Sequence, residues 1–266
     1  MIDFVTVVFD EEVPLLQWQA KSFQKFVKDV GTIYIVDNGS QNCNINLDWY
    51  GDYQSKVKIL KHADLGVKMQ EHIDGWRTQQ LCKLLASAMS DKTWAVVLDA
   101  KTFFTKNFDV IKDGKPCVGK IQTLDQFAES VEYLEDYYDV DLTQTIGPGG
   151  VPFFFHVETL KEMIASIDNF STWFQERVIE PNPPHKTLVT EFLLYSAYVK
   201  HKLGTYESLY GDTLLNPFNL ADFETNLFDK MITSDSHTKS IHERAKAKLN
   251  NEQVTRWETF LNDTYN

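Results

Sequence analysis

The sequence predicts an α/β fold, a mainly parallel twisted sheet with helices on both faces. Residues 3–9 and 32–36 are β-rich runs separated by a helix-patterned stretch, the strand, helix, strand order of a βαβ unit. The run Trp94-Ala95-Val96-Val97-Leu98 is apolar on successive residues, as expected for a strand covered on both faces. Two of these runs stop at a carboxylate, Asp37 and Asp99. Open α/β sheets bind ligands beyond the carboxyl ends of their strands, so the same pattern that predicts the fold also predicts where a site would lie.

Composition bounds the function. At 266 residues and 43% hydrophobic content, the chain can bury a substantial core in one domain. A formal charge of -12 argues against the broad basic face that nucleic acid requires. Cys43, Cys82 and Cys117 lack metal-ligand spacing and leave an odd count, which points to a reduced, cytoplasmic setting. The opening Met1-Ile2-Asp3-Phe4-Val5 is unlike a secretory leader, and no apolar stretch approaches the roughly 20 residues that span a bilayer. A soluble protein is expected.

The elements follow in order. After the first strand, Asp10-Glu11-Glu12 and Pro14 mark a loop, and Leu15, Leu16, Trp18, Phe23 and Phe26 give the next helix its apolar positions. Gly31 leads into the second strand, which ends at Asp37-Asn38-Gly39-Ser40, either a simple Asn-Gly turn or a ligand-contacting strand end. Residues 57–60 form a third strand, with His62 and Asp64 in the loop beyond it. A helix from Gly75 carries two stripes. Leu81, Leu84, Leu85 and Ala88 form its core face, while Trp76, Gln79, Gln80 and Lys83 lie on another arc. An aromatic plate, two amides and an ammonium suit hydroxyls and phosphate oxygens better than a core.

Further along, residues 117–121 read as a short strand, 129–141 as an acidic helix and Gly147-Pro148-Gly149-Gly150 as a loop entering the apolar run 151–156. Helices are expected at 158–167 and, after Pro181-Asn182-Pro183-Pro184, at 187–203, with Gly204 as the stop. Glu191 sits near that helix start, where the dipole alone would favour a carboxylate. Residues 211–223 read as a loop and 230–234 as a last strand, and Ser240-Ile241-His242 opens a terminal amphipathic helix through Leu261.

Four segments together carry a resemblance: Gly75-Trp76-x-x-Gln79-Gln80-x-x-Lys83-Leu84, Val97-Leu98-Asp99-x-x-Thr102-Phe103-Phe104, Pro152-Phe153-Phe154-Phe155-His156 and Thr190-Glu191-Phe192-x-x-Tyr195-x-x-Tyr198. In this order the chain resembles GT-A-type nucleotide-sugar glycosyltransferases, in particular a little-characterised microbial group of them. The resemblance implies a Rossmann-like GT-A fold over residues 1–266, with a nucleotide-sugar half at 1–108 and an acceptor half at 109–266. It implies sugar transfer from a nucleoside-diphosphate donor, such as a UDP-sugar, to a carbohydrate or other hydroxyl, in glycan or polysaccharide synthesis. Asp37 and Asn38 would meet the nucleotide; Trp76, Gln79, Gln80, Lys83 and Asp99 would line the donor pocket; Glu191 and His156 would serve the acceptor.

One departure matters. Such enzymes end their central strand in Asp-x-Asp to hold Mg²⁺ or Mn²⁺, and this chain has Asp99-Ala100-Lys101. Three outcomes stay open. Asp99 holds a metal with help from His242 or His237, Lys101 itself neutralises the leaving diphosphate, or catalysis is lost and a sugar or nucleotide-sugar binding protein remains. Strand alternation places Asp99 and Lys101 on one side.

Overall fold

The computed structural model describes residues 1–39, 43–68, 75–117, 127–142, 151–178, 189–212, 217–220, 224–241 and 243–265. In chain order its elements are β1 (Ile2–Val8), α1 (Val13–Phe26), β2 (Val30–Asp37), β3 (Val57–Leu60), α2 (Gly75–Ala88), β4 (Trp94–Asp99), β5 (Thr102–Phe104), β6 (Ile111–Lys112) and β7 (Lys115–Pro116). Then come α3 (Ala128–Tyr138), β8 (Phe153–His156), α4 (Val157–Ala165), α5 (Phe170–Val178), α6 (Glu191–Leu203), β9 (Pro217–Leu220), α7 (Thr225–Thr233), β10 (Thr238–Ile241), α8 (Glu243–Lys246) and α9 (Asn251–Tyr265).

The main sheet has five strands in the order β3-β2-β1-β4-β8. The first four are parallel and β8 runs antiparallel beside β4. This is the α/β arrangement that the sequence predicts, and the reason is visible in β1 and β4: nearly every residue of both is buried, so continuous apolar runs are required. Phe4 and Thr6, two residues apart, face α1, where Phe4 meets Phe23 edge-on at 4.8 Å and Thr6 bonds Gln19. Val5 and Val7 are buried on the other face, and α2 packs against β1 as well. Each such fully buried side chain contributes about 1.5–3 kcal/mol.

A second sheet, ordered β5-β10-β9, grows from the chain directly after Asp99. It packs under α7 and α9 through Phe103, Phe228, Met231, Ile241, Trp257 and Leu261. Here the sequence expectations need correcting. The stretch 211–223 contains β9, and residues 230–233 are the end of α7 with Ser234 as its C-cap, because Phe228 and Met231 recur at helical spacing and are both buried. The last strand is β10, where residues 240 and 241 were expected to open a helix; all four of its residues are buried, so it shows no alternation to read. Helix α6 begins at Glu191 rather than 187, with Thr190 as its N-cap accepting a bond from the amide of Leu193. The strand expected at 117–121 lies, apart from Cys117, outside the described residues; the short hairpin β6-β7 precedes it. The loop at 147–150 and the prolines at 181–184 lie outside the described residues, as does His242.

Candidate active site

Parallel register sets the site. Val8 pairs with Asp37 and Val7 with Asp99, so the two carboxylates leave the same end of the sheet on either side of β1. Two inter-strand spacings separate their backbones, roughly 10 Å. The two ends are nonetheless built differently.

At the β2 end the polar atoms are turned inward. Asp37 accepts hydrogen bonds from the amides of Gly39 and Cys43, both at 3.1 Å. Asn38 donates its side-chain amide to the carbonyl of Gly75 at 3.1 Å, and its Oδ1 lies 2.5 Å from His62 Nε2. These bonds tie the loops after β2 and β3 to the start of α2. Burial lowers the pKa of His62, against the pull of Asp37. At Gly39 a Cβ would sit 2.4 Å from Asp10 Oδ1 and 2.8 Å from Cys43 Sγ, so a larger residue would have to displace both side chains.

At the β4 end the groups are charged side chains. Lys83 of α2 lies 3.0 Å from Asp99 Oδ1 and 3.1 Å from Glu191 Oε1, with its ammonium 5.2 Å from the ring centroid of Phe192. It is only 5% exposed. Burial alone would favour its neutral form, but Asp99 and Glu191 more than offset this and hold it protonated, with its pKa raised. Lys83 is therefore a buried strut joining α2, β4 and α6 rather than an open phosphate contact. Gln80, one turn earlier and 1% exposed, accepts a bond from the Glu191 amide at 3.3 Å, which fixes the start of α6 against α2.

Lys101 lies on the other side of the same carboxylate. Its Nζ is 3.6 Å from Asp99 Oδ2 and 3.9 Å from Glu12 Oε1, beyond hydrogen-bond length in both cases, and its side chain keeps 17% of its surface open. Asp99 and Lys101 thus do converge as strand alternation predicts, although residues 100 and 101 form a turn between β4 and β5. Burial pushes the Asp99 carboxyl up, but Lys83 and Lys101 together outweigh it and bring the pKa down to about 2. Burial raises Glu12, with Lys101 opposing, and likewise raises Glu191, with Lys83 opposing.

Behind this turn sits a residue that the sequence did not flag. Gln19 of α1 is fully buried; its Nε2 donates to the carbonyls of Asp99 and Thr102, each at 2.9 Å, and its Oε1 accepts the Thr6 hydroxyl at 3.0 Å. The amide staples both ends of the Ala100-Lys101 turn and so fixes where the two charges project. Glu12 likewise carries no signal in the sequence beyond its place among three consecutive acids in a loop.

The remaining candidates divide. Trp76, at the start of α2, is 45% exposed, and Gln79 is half-buried. The stripe is thus graded, from an open indole through Gln79 to buried Gln80 and Lys83. His156 does not join the site: β8 is antiparallel to β4 and pairs His156 with Trp94, five residues of strand from Asp99, or roughly 16 Å. There its Nδ1 meets Thr159 Oγ1 at 2.9 Å and its ring packs edge-on against Trp94. His237 has Lys106, Asp235 and Lys112 as its charged neighbours rather than Asp99.

These residues do not fit a divalent cation. Such an ion needs several converging oxygens. The two Asp99 oxygens face Lys83 and Lys101, and among the described residues no group of three His, Cys, Asp or Glu side chains is placed to hold a metal.

A family of unknown function, DUF6492, matches residues 1–259. The chain belongs to this family. No curated protein matches the DUF6492 chain in sequence. In structure it is similar to the galactosyltransferase LgtC in complex with donor and acceptor sugar analogs, with a TM-score of 0.51 at 10% identity over 99% of this chain and 96% of that one. An active-site mutant of LgtC gives 0.47 at 12% identity, covering 97% and 95%. The apo bifunctional glycosyltransferase WbbM gives 0.48 at 10% identity, covering 99% of this chain and 45% of that one. At this identity the likeness to LgtC is one of fold, and it extends the GT-A resemblance from local motifs to the arrangement of the whole sheet. No helix among the described residues is long and apolar enough to cross a membrane.

Proposed function

We propose that this chain is a glycosyltransferase that moves a sugar from a nucleoside-diphosphate donor to a hydroxyl acceptor, with Lys101 rather than a bound divalent ion neutralising the leaving diphosphate. The observation that carries this reading is the placement of Lys101. It is a partly open ammonium at the carboxyl end of the central strand, held by no short hydrogen bond, on a turn stapled from behind. An anion approaching that strand end would meet Lys101 first, because Lys83 is already enclosed by Asp99, Glu191 and Phe192.

In the proposed reaction the bond from the anomeric carbon to the diphosphate oxygen breaks, and a bond to the acceptor oxygen forms. The diphosphate keeps the electron pair and Lys101 offsets its charge. The acceptor proton passes to Glu191, a carboxylate as buried as Lys83, which Lys83 holds through its side chain and Gln80 through its backbone amide. Trp76 and Gln79 supply the open edge of the donor cleft, with Asp37 and Asn38 shaping its far wall. Residues 1–108 would then furnish most of the donor side and residues 109–266 the acceptor side.

A second reading is a nucleotide-sugar binding protein without catalysis, favoured by the same Lys101 that stands where a metal-ligating aspartate would be. Calorimetry with UDP-glucose and GDP-mannose, each with and without EDTA, followed by a transfer screen over hydroxyl acceptors, separates the two. The transferase reading expects binding that survives EDTA, drops at least tenfold in Lys101→Ala, and is accompanied by turnover. Binding without turnover for any donor and acceptor pair would favour the second reading, and strict metal dependence would overturn the role given to Lys101.

A further inference from the structure

The charges around Asp99 do not balance. Glu12, Asp99 and Glu191 bring three negative charges, and Lys83 and Lys101 bring two positive ones. All five side chains are at least three-quarters buried, so the excess is poorly screened. A donor diphosphate would add two more negative charges with no cation to accompany it, since these residues do not fit a divalent ion. A carboxylate that took up a proton as the donor arrived would relieve this excess.

The three carboxylates are not equally placed to do so. Asp99 lies between both lysines and keeps Lys83 at 3.0 Å whatever happens to Lys101. Glu191 keeps Lys83 at 3.1 Å. Glu12 has only Lys101, at 3.9 Å, among the ion pairs of the described residues, and this is the ammonium that a diphosphate would engage. The other groups acting on Glu12 are Asp99 from the β4 end, which repels it, Lys83 from α2, which favours its charge, and the backbone amide of Phe9, which hydrogen-bonds its carboxylate and also favours the charged form. Burial already pushes its carboxyl above the usual range, so losing Lys101 would move it further in the same direction.

We propose that Glu12 is the counter-ligand of Lys101, and that donor binding transfers Lys101 from Glu12 to the diphosphate while Glu12 takes up a proton from solvent. This rests on the donor-binding reading above. Glu12 acts through Lys101 and is a positioning residue. Its carboxylate holds the ammonium in the empty cleft and, once protonated, no longer repels the bound donor. The linkage sign follows: a group whose pKa rises on binding makes binding tighter as pH falls.

The test is titration calorimetry of UDP-glucose, whose diphosphate diester has no group titrating near neutrality, in buffers of contrasting ionisation heat between pH 6 and 8. The native protein should take up close to one proton per donor bound, with affinity rising towards tenfold for each pH unit lowered. Glu12→Gln should abolish the uptake, flatten the pH dependence and bind at pH 8 more tightly than the native protein. Circular dichroism confirms that the variant is folded, and Glu12→Asp, which keeps the titrating group, should restore the uptake. Binding with no proton uptake overturns this inference alone; uptake that persists in a folded Glu12→Gln moves the proton elsewhere and also overturns it. Failure of both UDP-glucose and GDP-mannose to bind overturns it together with the donor reading.

Discussion

Two strand ends lie side by side in this molecule, and they solve the same problem in opposite ways. At the end of β2, Asp37 and Asn38 direct their polar atoms to backbone amides, a carbonyl and His62, and hold the loop that contains them. At the end of β4, Asp99 spends its carboxylate on two ammonium groups, one buried and one partly open. A carboxylate satisfied by its own loop is a structural part. One satisfied by other side chains can exchange a partner for a ligand, and Lys101, in the longer and more open of its two ion pairs, is the partner available for exchange.

The largest effect that would sharpen this contrast is at Lys83. Lys83→Ala leaves Asp99 and Glu191 facing each other without their shared cation, and removing one partner of a buried pair costs about 3–5 kcal/mol. Urea unfolding should show a loss in that range; a loss below about 1 kcal/mol would mean that Lys83 is no strut. Next comes Gln19→Leu, which strips a donor from two backbone carbonyls and an acceptor from Thr6. Each unsatisfied buried group costs about 1–3 kcal/mol, so several kcal/mol are expected, together with weakened donor binding because the turn is released. Donor affinity unchanged in a folded Gln19→Leu would separate the staple from the site.

Asp37→Asn should be milder, about 1–2 kcal/mol, since one of its two oxygens survives to accept an amide. If it abolished donor binding at unchanged stability, the distinction between the two ends would fail. Lys101→Ala is expected to cost about 1 kcal/mol, since its ion pairs are longer than hydrogen bonds but leave the largely buried Glu12 and Asp99 less compensated when lost, while its effect on donor binding is large. Acid supplies one more check. Asp99 has a depressed pKa, so its contribution is full above the ordinary carboxylate range and is lost as pH falls from about 4 towards 2. Stability measured across that window should fall less steeply in Asp99→Asn than in the native protein.

How far the sequence reveals this depends on the range of the contacts. The main sheet was legible because β1, β2 and β4 are apolar runs whose burial is dictated locally, and both strand-end aspartates followed from the same pattern. Gln80 and Lys83 could be singled out because helical spacing separates them from the leucine face. Whether they meet ligand or protein could not, since Lys83 contacts Glu191 across 108 residues of sequence. Gln19 and Glu12 left no local signal at all: one is a lone amide in an amphipathic helix and the other one of three consecutive acids, and their roles arise only when α1 docks beside the β4 end. His156 was misplaced for a related reason, because nothing in Phe153-Phe154-Phe155-His156 states that the strand runs backwards.

The second sheet has a consequence for how the site is made. Strand β5, which begins one residue after Lys101, pairs with β10, and its Phe104 carbonyl accepts the hydroxyl of Tyr265, 161 residues further along the chain. During synthesis the main sheet can form up to β4 long before those partners emerge. The turn carrying Asp99 and Lys101 then has Gln19 behind it but no strand beside its exit. Only when β10 and α9 arrive is the far side of the turn secured, so the turn that carries Asp99 and Lys101 is among the last parts of the molecule to be completed.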